Sequence, residues 1–242
     1  MRHWLLVAIL LATVSTACQE APGSAGHITG PVPNATKETI TTDDGLRLDA
    51  RLFAADPERL VILLHMYDAN QQSWFGTASM LRDRGISALT LDFRGYGASE
   101  GDVEPADIDR DMRAALSFAH ARGYRHIVLV GASMGGTAAI VTAAKEPVDG
   151  VITLSAPDLF RGLDASKAAK DVRVPLAMIA AKGDTSAEHT VETFKERSYV
   201  DPGQTLLVDG RAHGTDLLDS PEADQVRQML FKMLDDIWGA GS

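Results

Sequence analysis

Short apolar runs recur along this chain, and helix-period segments fill most of the gaps between them. Leu60–His65 reads LVILLH, Ile127–Gly131 reads IVLVG and Leu176–Ala181 reads LAMIAA. A run apolar on both sides of a strand needs cover on both faces of its sheet. Ile86–Phe93, Val148–Ser155 and Gln204–Val208 read as further strands. Between them lie helical spacings. Trp74, Phe75, Ala78 and Leu81 share one side of Gln72–Arg84, and Ile108, Met112, Ala115, Leu116 and Ala119 share one side of Ala106–Arg122. Gly85 and Gly123 follow as C-terminal caps. Met134–Lys145 and Pro221–Trp238 are helical too, and the second closes the domain. Strand–helix–strand repetition at this pitch predicts an α/β fold: a mostly parallel sheet of about eight strands with helices on both faces. Thr36–Thr41 and Leu46–Phe53 flank the turn Asp43–Asp44–Gly45 with no helix between them, which predicts an antiparallel edge. Ligands of such sheets bind beyond the carboxyl ends of the strands.

Two near-copies of one pentapeptide lie in those loops. Gly97–Gly101 reads GASEG and Gly131–Gly135 reads GASMG, and both satisfy G-x-S-x-G. This pattern presents a nucleophilic serine only on a sharp strand-to-helix turn, where strand and helix pass so close that the flanking residues must be small. GASMG meets the demand. His126–Val130 runs straight into Gly131, and a helix starts at Gly135–Gly136 without a break. The helix N-terminus also aims backbone N–H groups at the serine. GASEG does not meet it. Arg94–Gly95–Tyr96 separate it from the strand, Asp102–Pro105 separate it from the next helix, and Glu100 and Asp102 put negative charge where an oxyanion would form. Ser133 is therefore the expected nucleophile, not Ser99.

HIVLVGASMGG, with LVILLH upstream and LTLDFRGYGASEG between them, resembles the α/β-hydrolase family, its esterases and dienelactone hydrolases above all. The resemblance spans roughly Thr36 to Trp238. It implies that Asp92, Arg94, Gly95, Gly97, Ser99 and Gly101 form a structural turn, with Asp92 and Arg94 pairing or bonding backbone groups. It also implies that His65 is structural. A serine hydroxyl needs a base with a pKa near neutrality, which points to histidine. Of seven histidines, His213 follows the strand ending at Val208, at the family's place for the base. The acid expected to orient it is Asp184, at the carboxyl end of Leu176–Ala181; Glu188 and Asp216 are the rivals. The oxyanion hole needs two backbone donors. The resemblance implies the N–H of Met134 and that of Tyr67, in a loop that reads His65–Met66–Tyr67 where the family usually has His-Gly. Trp74 is expected to pack rather than touch substrate.

Many members of that family carry a helical cap between the sixth and seventh strands. Pro157–Arg173 can hold a short helix but no sizeable cap domain, so an open, shallow site is expected, with Leu159 and Phe160 as an apolar wall or as core. The implied activity is hydrolysis of small carboxylic esters through an acyl-enzyme, with no metal and no cofactor. Thioesterase, peptidase or perhydrolase chemistry and a catalytically silent binding protein are the alternatives. The formal net charge of −10 argues against nucleic acid as a partner.

The N-terminus reads as a targeting segment. Arg2 and His3 precede the apolar stretch Trp4–Ala12, and small residues follow, as in an export signal over residues 1–17. The stretch is shorter than the ~20 residues of a membrane-spanning helix. Cys18 is the single cysteine, and Ser15–Thr16–Ala17–Cys18 resembles a bacterial lipobox, where the cysteine is lipidated. Ordinary cleavage after Ala17 is the alternative. Residues 18–34 are rich in Pro, Gly, Ala and Ser and read as a flexible tether to a domain over residues 35–242. The expected location is an exported, membrane-anchored lipoprotein, or else a soluble periplasmic or secreted protein.

Overall fold

The computed structural model describes residues 32–239. The export signal, Cys18 and most of the tether lie outside these residues. Ten strands and six α-helices follow one another: β1 (Thr36–Thr41), β2 (Arg47–Phe53), β3 (Arg59–Leu64), α1 (Phe75–Asp83), β4 (Ser87–Leu91), α2 (Ile108–Ala121), β5 (His126–Ala132), α3 (Met134–Ala143), β6 (Gly150–Leu154), β7 (Leu159–Phe160), β8 (Leu163–Asp164), α4 (Ala165–Ala168), β9 (Leu176–Ala181), α5 (Thr185–Glu196), β10 (Thr205–Val208) and α6 (Ala223–Gly239). Eight strands form one sheet in the order β1-β2-β4-β3-β5-β6-β9-β10. β2 pairs antiparallel with both β1 and β4, and the remaining pairs are parallel.

Side-chain alternation divides the core into two layers. Leu60, Ile62 and Leu64 of β3, with Leu129 of β5 and Met178 of β9, pack under α2, α3 and α5. Val61 and Leu63, with Val128 and Val130 of β5 and Ile179 of β9, pack under α1 and α6. Each fully buried Leu or Ile side chain stabilises the fold by roughly 1.5–3 kcal/mol, and β3 is buried from Leu60 to Leu64 because helices lie over both faces.

Two helix starts differ from the periodic reading. The segment expected to be helical from Gln72 opens as a 3-10 turn over Gln71–Trp74 before α1 begins. The Asn70 side chain accepts from the Gln72 N–H and holds that turn. Pro105–Asp107 forms a second 3-10 turn ahead of α2. Trp74 is fully buried in the layer under α1 and α6, as a packing residue should be. The segment between β6 and β9 contains the short helix α4 and a two-residue-turn hairpin, β7–β8, but no cap domain.

Candidate active site

The sheet register gathers the carboxyl ends. Leu64 pairs with Gly131, Ala132 with Leu154, Leu154 with Ile179, and Ala181 with Val208. The loops after β3, β5, β6, β9 and β10 therefore leave the sheet side by side.

Ser133 stands between β5 and α3 with φ 48° and ψ −116°, a backbone state rarely used by non-glycine residues. Its N–H donates to the Leu154 carbonyl at 2.8 Å, and its carbonyl accepts from the Thr137 N–H at 3.0 Å. The neighbouring glycines are required by space. A Cβ on Gly131 would lie 2.3 Å from the Gly135 carbonyl, and one on Gly135 would lie 2.4 Å from the Leu64 oxygen. One on Gly136 would lie 2.8 Å from the Ala156 Cβ. The strand–turn–helix mechanics expected of GASMG are thus present.

His213 lies after β10, and its Nδ1 is 2.7 Å from Asp184 Oδ2. A carboxylate accepts only, so the proton sits on Nδ1 and Nε2 is left as the basic nitrogen. Burial works against the charged form of Asp184, but the hydrogen bond and charge of His213, with the nearby Ser155 hydroxyl, outweigh it and hold the pKa below its ordinary 3.8. The Asp184 hydrogen bond, opposed by burial, raises His213 above 6.5; the charges of Asp68 and Asp216 add to the rise. Glu188 and Asp216 make no hydrogen bond to the imidazole. The loop after His213 reaches the end of β5, next to Ser133, since a Cβ on Gly214 would lie 3.5 Å from Ala132 Cβ. No Ser133–His213 hydrogen bond forms among the described residues; the structure closes the Asp184–His213 pair.

The loop after β3 is pinned by His65, which is fully buried. Its Nε2 accepts from the Phe93 N–H at 3.1 Å, which leaves Nδ1 to donate to the Met66 carbonyl at 2.7 Å. Burial pushes its pKa down, so it stays neutral and structural. No acceptor among the described residues takes the N–H of Tyr67 or of Met134. The Tyr67 ring packs edge-on to Tyr96 and tilted against Phe160, and the Tyr96 hydroxyl approaches Met134 Sδ at 3.9 Å.

The GASEG copy is occupied otherwise. Ser99 Oγ donates to the Asp92 carbonyl at 2.6 Å and accepts from the Asp49 N–H at 2.9 Å. Asp92 and Arg94 do not pair with each other. Asp92 accepts from the N–H groups of Gln71 and Ala98, while Arg94 binds Asp111 and Asp44. Glu100 pairs with Arg47.

Three features near the site had little or no sequence signal. Ser155, after β6, is buried with φ 55° and sits beside Asp184; only the register of β6 against β5 and β9 brings it there. Asp68 contributes charge to His213 across 145 positions of chain, a proximity set by the sheet order alone. The β7–β8 hairpin carries Arg161 over the Tyr67 ring at 4.2 Å. Gly162, just after Arg161, is a usable but weak turn signal for that hairpin. Leu159 is 61% exposed and Phe160 half-buried, so these two split between surface and wall. A cleft of about 800 Å³ between α1 and α6, lined by Met80, Arg84, Arg227 and Phe231, contains none of the site residues. Among the described residues no cluster of three or more His, Cys, Asp or Glu could hold a metal ion, and no helix is long and apolar enough to cross a membrane.

Residues 55–170, just under half the chain, match the family described as serine aminopeptidase S33. The uncharacterized protein YfhR of Salmonella typhi is 26% identical over 117 residues. That match takes in 44% of this chain and 40% of the relative, so the chain spans about two-fifths of that relative's length. Among solved structures, an esterase of Pyrococcus furiosus superposes with a TM-score of 0.70 at 20% identity, over 86% of this chain and 96% of that one. The α/β hydrolase GrgF from a Penicillium species gives 0.69 at 17% identity, over 84% and 97%. A mostly parallel eight-stranded sheet, helices on both faces and neighbours that share this frame over most of both chains identify the architecture: the chain has the α/β-hydrolase fold.

Proposed function

We propose that this protein is a serine hydrolase that cleaves carboxylic esters through an acyl-enzyme. The observation that carries the reading is the 2.7 Å Asp184–His213 contact at the strand ends where the strained Ser133 turn emerges. In the proposed cycle, Ser133 Oγ attacks the acyl carbon and its proton passes to His213 Nε2. The negative charge on the former carbonyl oxygen is held by the N–H groups of Met134 and Tyr67. The C–O bond to the alcohol breaks and the alcohol leaves with the proton from Nε2. Water then gives a proton to Nε2 and attacks the acyl carbon; the bond to Ser133 Oγ breaks, the acid leaves, and Oγ takes the proton back from Nε2. Asp184 keeps Nδ1 protonated and stabilises the imidazolium throughout.

A fluorophosphonate probe tests the nucleophile. Labelling is expected in the wild type and in Ser99→Ala, and lost in Ser133→Ala; labelling that survives in Ser133→Ala rejects the assignment. A peptidase is the second reading, because the matching family is described as a serine aminopeptidase. Faster turnover of aminoacyl 4-nitroanilides than of 4-nitrophenyl esters would favour it. We further propose export and lipidation at Cys18, read from the sequence of residues 1–18. Loss of radiolabelled fatty acid in Cys18→Ser, with retention in the wild type, is the expected result.

A further inference from the structure

We infer that Arg161 is a specificity-determining residue that selects esters bearing a carboxylate near the scissile bond; the inference rests on the esterase reading above. Leu159–Asp164 forms a hairpin in which Phe160 pairs with Leu163, so Arg161 and Gly162 are its whole turn. Both have positive φ, 41° and 96°. A turn of this kind favours Asn, Asp or Gly at its first central position. Arginine there is a poor conformational choice, so local folding does not account for it.

The side chain is placed toward the site. Its guanidinium carbon lies 4.2 Å from the Tyr67 ring centre and 5.9 Å from that of Phe160. Tyr67 is the residue whose N–H is assigned to the oxyanion hole, and its ring contacts Tyr96, which reaches Met134 beside the nucleophile. The hairpin is fixed at its base, since Thr137 Oγ1, one helical turn after Ser133, donates to the Pro157 carbonyl at 2.7 Å. The guanidinium sits over the Tyr67 ring, and that contact uses none of its N–H donors. Among the described residues it makes no hydrogen bond and no ion pair, although the chain carries 33 acidic side chains. Asp68, on the Tyr67 loop, is the carboxylate felt by Tyr96 and His213, and it does not reach Arg161 within ion-pair distance. An unpaired guanidinium held over Tyr67 at the rim of the proposed ester site fits a carboxylate in two-point contact.

The test uses the full chain and two matched ester pairs. Mono(4-nitrophenyl) glutarate against 4-nitrophenyl pentanoate places the anion on the acyl side. 3-Carboxyphenyl butyrate against phenyl butyrate places it on the alcohol side. For at least one pair the wild type should prefer the anion, and Arg161→Gly should lower the ratio of kcat/KM values about tenfold, mainly through KM. Gly suits the turn, so the variant should fold, with a Tm no lower than the wild type. Arg161→Lys keeps the charge without the fork and should give an intermediate ratio. Ratios indifferent to Arg161 in both pairs, while the neutral esters still turn over, overturn this inference and leave the esterase reading intact. No Ser133-dependent turnover of any ester rejects that reading and this inference with it.

Discussion

Asp184 and His213 move each other's pKa in opposite directions, and this has a visible consequence. In the proposed cycle His213 serves as a base only when neutral. Its pKa lies above 6.5, so activity is lost as pH falls through that raised value. The acid limb of the pH–rate profile should therefore have its midpoint above 6.5. Asp184→Asn removes the partner that raises it, so the midpoint should move down toward 6.5 while kcat falls by roughly 10³–10⁴-fold. A limb that stays in place in Asp184→Asn would assign the acid elsewhere. The same pair bears on stability. Asp184, lowered, contributes above pH 3.8 and loses that contribution as pH falls through its folded value; His213, raised, contributes below 6.5 and loses it as pH rises.

At the scale of the element, the turn between β5 and α3 works because two backbones pass closer than any side chain allows. Gly135 faces the Leu64 carbonyl, the last residue of β3, so β3, β5 and α3 meet at one point. Gly135→Ala should push α3 away from β3, cost on the order of 1–3 kcal/mol in stability, and reduce fluorophosphonate labelling more than it reduces folding. Thermal unfolding and probe kinetics measured together check this. A variant that labels at the wild-type rate would show that the close approach is not needed for chemistry. The GASEG turn folds back on its own loop, with Gly95 against the Val103 backbone, and not on a helix. Gly97 lies against the Asp92 carboxylate, and that carboxylate in turn holds the Gln71 and Ala98 N–H groups. It is a hydrogen-bonded brace for the loop ends.

For the whole molecule, both faces of the sheet must be covered, and α6 does much of that work on one of them. Val226, Leu230, Phe231, Met233 and Leu234 of α6 belong to the same buried layer as Ile152, Ala177 and Ile179. Deleting residues 223–242 would expose that apolar layer of β5, β6 and β9. The truncated chain should fail to fold cooperatively, seen as loss of the thermal transition and binding of a hydrophobic dye. A chain beginning at Val32, by contrast, keeps every described contact and should unfold within a few degrees of the full chain; a large drop would mean that residues 1–31 support the fold.

The sequence alone determined the alternation of strands and helices, the antiparallel edge and the choice of GASMG over GASEG. These follow from local rules, since a strand buried on both faces and a strand–turn–helix crossing write themselves into consecutive residues such as HIVLVGASMGG. His213 and Asp184 were legible as residues at strand ends, but their contact was not, because 29 positions of chain separate them. Only the register of β9 against β10 brings them together. The same holds for Ser155 beside Asp184 and Arg161 over Tyr67. Neither belongs to a sequence pattern, and each owes its place to a long-range neighbour. Periodicity records which face of an element is buried. Which side chains meet beyond the strand ends depends on strand order, and only the tertiary structure decides that.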